Sequence, residues 1–223
     1  MIYTFYDEAG EDTLHVKGEL YKYLVKVRRQ SVGDELSFRS RSDMKTLHKY
    51  KVTALESRSL ELSLISSTVQ EVKSQKYLHV GWCIIDAKSI EKVLASLCEI
   101  GVSKISFIGC DRSQKNFKLD FKRFDRIVEA SMQQSGRTSF MEFDTSKCIK
   151  DFIDANPDTK VFDFCPNTLK DSNDFNTVLI GCEGGFSQNE REILKKQDSF
   201  RLDSPMVLRS ESAVIAVASK IML

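Results

Sequence analysis

The sequence predicts an α/β protein of two domains, a small β-rich unit over residues 1–72 and a mostly parallel α/β sheet over residues 73–223. Three observations carry this reading. Between Asp34 and Ile65, apolar and polar residues alternate at the two-residue period of half-buried strands. From Ser66 to Gln75 the chain is polar and reads as a linker. Beyond it, short apolar runs alternate with segments of helical period, the pattern of a parallel sheet covered by helices.

In the first unit, a helix over Glu19–Val27 would place Leu20, Leu24 and Val27 on one side. Val32-Gly33-Asp34 supplies the turn into a strand over Asp34–Arg39, and strands over Leu47–Leu55 and Ser59–Ile65 follow at hairpin spacing. Short strands with one helix predict a small barrel. In the second unit, Leu78–Ile85 reads as a buried parallel strand. A helix follows with Ile90, Val93, Leu94, Leu97 and Cys98 at helical spacing, closed by Gly101. Ile105–Ile108 is the next strand. A second helix carries Phe121, Phe124, Ile127, Val128, Ser131 and Met132 on one face and ends at Gly136. Strands over Lys160–Phe164 and Thr177–Ile180 complete the order β-α-β-α-β-β-α. The last helix, over Val214–Leu223, is apolar on nearly every face, as Ala213–Ala218 shows, so it is expected in the core or against a partner chain.

The formal net charge of +1 excludes nucleic-acid binding by bulk charge alone. Its distribution says more: between Lys17 and Lys51 ten basic residues face four acidic ones. That excess is either a phosphate-binding face or a solvated surface offset by Asp7, Glu8, Glu11 and Asp12. No run approaches the ~18 to 20 apolar residues of a membrane span, and the N-terminus lacks a secretory pattern. A cytoplasmic protein with no membrane partner is therefore expected. The six cysteines and three histidines are scattered without a C-x-x-C pair. No metal site is expected, and most cysteines read as small core hydrophobes, not as disulfide partners.

The sharpest local signal is Val178-Leu179-Ile180-Gly181-Cys182-Glu183-Gly184-Gly185-Phe186-Ser187. A buried strand enters a glycine loop and then a helix whose start is marked by Ser187 and Glu190 at capping-box spacing. Open α/β sheets bind ligands at such turns, where glycine lets backbone approach the ligand. Taken alone, the loop is also compatible with a tight β-α turn. It is neither a P-loop nor the G-x-G-x-x-G fingerprint, which speaks against a nicotinamide-dependent reductase. A second feature, Leu202–Ala213, places Arg209 and Glu211 beside the apolar C-terminal helix, either as functional charges or as a structural ion pair. A third, Gln133-Gln134-Ser135-Gly136-Arg137, is locally a helix end with a favourable basic residue.

In this order the pieces resemble the RsmE family, the uridine-N3 methyltransferases of small-subunit ribosomal RNA in the SPOUT superfamily. Ile180–Ser187 is similar to the pattern IGPEGG-[FW]-[ST], with Cys182 in place of proline, and Leu208–Ala213 to L-R-x-E-[TS]-A. Glu99–Val102, Arg112-Ser113 and Gln134–Arg137 match shorter family segments, as do His15, Val27, Arg29, Gly33 and Asp34 in the first unit. The chain departs from the family's L-G-x-R at Leu202-Asp203-Ser204-Pro205-Met206.

The resemblance implies a PUA-like small β-barrel followed by a trefoil-knotted SPOUT methyltransferase domain that forms a homodimer. It implies S-adenosylmethionine as cofactor, held by Ile180, Gly181, Glu183, Gly184, Gly185, Leu202, Val207, Leu208 and Ser212. The target would be N3 of a uridine in 16S ribosomal RNA within the small ribosomal subunit. Arg209, Arg137 (from a partner subunit) and Glu211 are the expected catalytic groups, and Arg28, Arg29, Arg39, Arg41 and Arg112 the expected RNA contacts. Two alternatives stay open: a related SPOUT methyltransferase with another target, and an inactive RNA-binding ribosome-assembly factor.

Overall fold

The computed structural model describes residues 2–114, 118–169 and 175–223. The chain divides into two compact units, Met1–Lys73 with Met132–Ser139, and Ser74–Ser131 with Phe140–Leu223.

The first unit is built from β1 (Thr4–Phe5), β2 (Thr13–Lys17), a short α1 (Gly18–Tyr21), β3 (Glu35–Arg39), β4 (Thr46–Leu55) and β5 (Ser59–Val69). The sheet order is β1-β3-β4-β5-β2, antiparallel except for β1 on β3. The expected barrel is thus a curled sheet with β1 and β2 as its two edges. Leu14, Val16, Tyr21, Leu24, Phe38, Tyr50, Val52, Leu60 and Leu62 form its core. Residues 132–139 belong here: the N–H groups of Ile2 and Tyr3 donate to Gln133 O, and Tyr3 Oη donates to Arg137 O at 2.7 Å.

Three expectations fail in this unit. The helix over Glu19–Val27 is a single α-turn continued by a π-helical turn, Lys22–Val27. The wider turn rotates Val27 off the buried face, leaving it 66% exposed while Leu24 stays buried. The segment read as the start of a linker, Ser66–Val69, extends β5 and pairs with Thr46–Lys49, its polarity matching an exposed face. Arg39 is 1% exposed, with its guanidinium donating to Met44 O (2.8 Å), Lys45 O (2.9 Å) and Gln70 O (3.0 Å). A side chain so committed holds the β3–β4 turn to the end of β5 and does not offer its charge to a phosphate.

The second unit comprises β6 (His79–Cys83), α2 (Ala87–Ile100), β7 (Lys104–Ile108), α3 (Phe121–Ser135, whose end belongs to the first unit), β8 (Glu142–Ser146), α4 (Ile149–Ala155), β9 (Lys160–Phe162), β10 (Thr177–Ile180), α5 (Gln188–Leu194), β11 (Ser199–Phe200) and α6 (Ser210–Met222). All neighbouring strands run parallel in the order β11-β9-β10-β6-β7-β8. Asp86 caps α2 by accepting from Ser89 N at 3.0 Å, and Gly101 ends it at φ +103°. The unpredicted β8 and α4 are explained by their chemistry: β8 is a polar edge strand without an apolar run, and α4 has only seven residues. Gly81 in β6 admits α4 onto the sheet, because a Cβ there would lie 2.5 Å from Phe152 Cζ. Among the described residues, no helix is long and apolar enough to cross a membrane.

The cysteine expectation also needs correction. Cys83 and Cys110 are joined as a disulfide with Cα atoms 5.9 Å apart. Their strands are neighbours, and both residues lie where the chain leaves the sheet, a proximity hidden by their sequence separation. Cys98 and Cys182 are buried free thiols, whereas Cys148 is exposed and Cys165 partly so.

Under α4 lies a polar cluster. His79 Nε2 is 2.6 Å from Ser106 Oγ, and Asp144 pairs with Lys104 at 2.6 Å. Burial, reinforced by Lys104, lowers the His79 pKa to about 4. The fold therefore favours neutral imidazole, while the unfolded chain takes up a proton below about pH 6.5. Stability should be level above pH 6.5 and fall by about 3 kcal/mol as the pH drops to 4. Urea titrations across that range should show the fall in the wild type and a flatter profile in His79→Gln.

Candidate active site

The loops at the carboxyl ends of β7, β9 and β10 gather into one site, as open parallel sheets arrange them. After Ile180, Gly181–Phe186 turns tightly: a Cβ on Gly181 would lie 3.4 Å from Gly185 Cα, and Gly185 sits at φ +64°. The capping box starts α5, with Glu190 N donating to Ser187 Oγ at 3.2 Å and Ser187 N to Glu190 Oε2 at 2.7 Å. Glu190 is buried, and its second oxygen accepts from Asp111 N at 2.8 Å. Asp111 in turn accepts from Ser187 Oγ at 2.5 Å, and Arg112 Nη1 donates to Gly184 O at 2.5 Å. The loop after β7 is thereby fastened to the glycine loop.

Facing the glycine loop is the stretch from Arg201 to Leu208, with Phe162–Phe164 at the end of β9. Together they line a cleft that opens to solvent. The wall is mostly apolar, with glycine backbone at Gly181 and Gly185. Asp163 is tied to Arg191 by a two-pronged ion pair. Burial pushes the Cys182 thiol up, so it lines the wall as a neutral group where the family pattern has proline. Among the described residues no cluster of His, Cys, Asp and Glu is arranged to hold a metal ion.

Of the expected cofactor residues, Ile180, Gly181, Glu183, Gly185, Leu202, Val207 and Leu208 line this pocket. Gly184 does not; it lies under the Arg112 side chain, whose Cδ would be 3.1 Å from a Cβ there. Ser212 does not either, and it is exposed. The reason is angular: at roughly 100° per residue, Ser212 lies about 200° around α6 from Ser210, which does line the pocket, whereas Ala213 returns to it. Arg209 is exposed between two lining residues and precedes α6 as its N-cap, and Glu211 is half-buried in the first turn. Arg137 is buried within the first unit, where its Nε donates to Ser139 O at 2.7 Å.

The remaining RNA candidates divide. Arg28 and Arg29 are exposed beyond the π-turn, with Arg29 at φ 59°. Arg41 pairs with Asp7 at 3.1 Å and stacks over Phe5. Arg112 is occupied at Gly184 O. Sequence reasoning missed Phe162, Asp163, Phe164, Arg201 and Ser210. The first three stand at the carboxyl end of a strand it had found, which was the available signal. Ser210 had none beyond standing at the variable position of L-R-x-E.

Comparison with known proteins places this geometry. Residues 72–222 match the family model of the RNA methyltransferase domain. The chain is 36% identical over 223 residues to ribosomal RNA small subunit methyltransferase E of Helicobacter pylori, covering 98% of each chain. Among solved structures, ribosomal RNA small subunit methyltransferase E from Neisseria gonorrhoeae, bound to S-adenosyl methionine, superposes with TM-score 0.76 at 18% identity over 98% of this chain and 95% of that one. A methyltransferase of Legionella pneumophila in complex with the cofactor SAM gives TM-score 0.77 at 19% identity over 99% and 95%. These two share the fold, a β domain ahead of a parallel-sheet methyltransferase domain. With more than a third of its residues shared along nearly its whole length, the chain belongs to the ribosomal RNA small subunit methyltransferase E family.

Proposed function

We propose that the protein transfers a methyl group from S-adenosylmethionine to N3 of a uridine in 16S ribosomal RNA of the small subunit. The observation that carries this is the pocket between Gly181–Phe186 and Arg201–Leu208, where Ile180–Phe186 and the start of Leu208–Ala213, the two segments resembling the family's main motifs, line one cleft. The lining fits the cofactor: backbone edges for its polar groups, and Phe162, Phe164, Phe186 and Leu208 for its apolar surface. Bound there, S-adenosylmethionine supplies an electrophilic methyl group. The protein's own work is to orient the base and manage its proton and charge. N3 of uridine is an imide that loses a proton as it reacts, and negative charge passes to the ring oxygens. In this reading Arg209 stabilises that charge, and Glu211 in the first turn of α6 accepts the proton. Arg137 in this reading acts on the site of a second copy.

The first unit, taken as the RNA-binding domain, supplies affinity through phosphates rather than base edges. Reversing charge at Arg28 and Arg29 together should weaken RNA binding and reduce the slope of log K against log salt by about 2. Filter binding at several salt concentrations reads this, and an unaltered slope places the RNA elsewhere. The reading also includes a homodimer, a cytoplasmic location and a trefoil knot. The knot is supported by the insertion of β10 between β9 and β6 and by the burial of α6 beyond it. The function is tested by incubating the protein with labelled S-adenosylmethionine and undermodified small subunits. N3-methyluridine at one site is expected; label on another atom or another RNA refutes the assignment.

A further inference from the structure

Ser210, the first residue of α6, is buried at 4% exposure and is not among the residues the family motifs single out. Its hydroxyl touches two groups far away in sequence. Trp82 Nε1 lies 2.8 Å from Ser210 Oγ, and Ser210 Oγ lies 2.6 Å from Gly181 O. The proton arrangement is determined by chemistry. An indole N–H can only donate and a backbone carbonyl can only accept, so the hydroxyl accepts from Trp82 and gives its one proton to Gly181. Every group in this chain of bonds is satisfied, and none can turn without breaking it.

The position of this relay matters. Gly181 is the first residue after β10 and lines the pocket, and Ser210 closes the opposite segment where it enters α6. Trp82 is fully buried in β6, paired in register with Ile180 of β10. We infer that Ser210 is a positioning residue for the methyl-transfer reaction. It fixes the carbonyl of Gly181, and with it the glycine loop, against the segment that ends at α6, so that both walls of the cofactor site are set before the cofactor arrives. Because Trp82 is the chain's single tryptophan, its emission reports the state of this relay. The inference rests on the cofactor assignment above.

Removing the hydroxyl leaves a buried carbonyl and a buried indole N–H without partners, and a loop free to rotate Gly181. In Ser210→Ala, calorimetry should show S-adenosylmethionine bound about tenfold more weakly, with RNA affinity unchanged. Ser210→Thr, which keeps the hydroxyl, should restore binding to within about threefold. Without cofactor, Trp82 emission should shift in Ser210→Ala, which removes the indole's partner, and should stay close to the wild type in Ser210→Thr. A wild type that does not bind the cofactor overturns the functional assignment and this inference together. A wild type that binds it, with Ser210→Ala binding equally well, overturns this inference alone. So does equal weakening in Ser210→Ala and Ser210→Thr, or Trp82 emission unaltered in Ser210→Ala.

Discussion

Arg209→Ala is expected to lower kcat by about 10², the scale of removing one preorganised charge-stabilising donor, while cofactor affinity stays within about threefold. The geometry sets both halves of that expectation. Arg209 is exposed, so its charge is available to a substrate. It stands between Leu208 and Ser210, both on the pocket wall, yet it is not itself part of the lining. A group in that position is expected to meet the base and not the cofactor. The loss should appear equally in kcat and kcat/KM, since the interaction forms as the charge develops. Single-turnover assays with bound cofactor separate the two effects. Unchanged turnover, or a loss confined to KM for S-adenosylmethionine, would remove Arg209 from the chemistry.

The second large effect is on stability. Arg39→Ala should destabilise the protein by about 3 kcal/mol, because three carbonyls lose a charged donor whose side chain is buried. The guanidinium also lies 5.0 Å from the centre of the Tyr3 ring, so a stacking contact is lost as well. Arg39→Lys should recover only part of the loss, since one ammonium cannot span Met44, Lys45 and Gln70 as the planar fork does. Urea denaturation measures both. Arg28→Glu with Arg29→Glu should leave stability within about 0.5 kcal/mol, as expected for exposed surface positions. An Arg39→Ala variant as stable as the wild type would return this residue to the surface candidates.

That contrast shows where sequence reasoning reaches and where it stops. The strand, glycine loop and capped helix from Thr177 to Leu194 were legible, because each device is local: a buried run, positive-φ glycine, and Ser187 three residues before Glu190. The apolar helix after Arg209 was legible for the same reason, its composition alone demanding burial. Arg39 was not, since its role depends on carbonyls brought together by the β4–β5 pairing. Nor were the Cys83–Cys110 bond and the Ser210 relay, which depend on strand order and not on spacing. The polar edge strand β8 escaped because Phe143 is its one apolar residue, packed against Phe107, Phe121 and Phe124, and one residue makes no alternation. Within the pocket, the named motifs located the walls, but the choice between Ser210 and Ser212 needed the angle at which α6 enters.

The central claim is that two stretches distant in sequence grip the methyl donor jointly, through main-chain groups. A crystal structure of the protein grown with S-adenosylmethionine tests it most directly. The donor is expected between Gly181–Phe186 and Arg201–Leu208, with most of its polar contacts made to backbone amides and carbonyls. Density for the donor elsewhere, or held chiefly by charged side chains, would contradict the account.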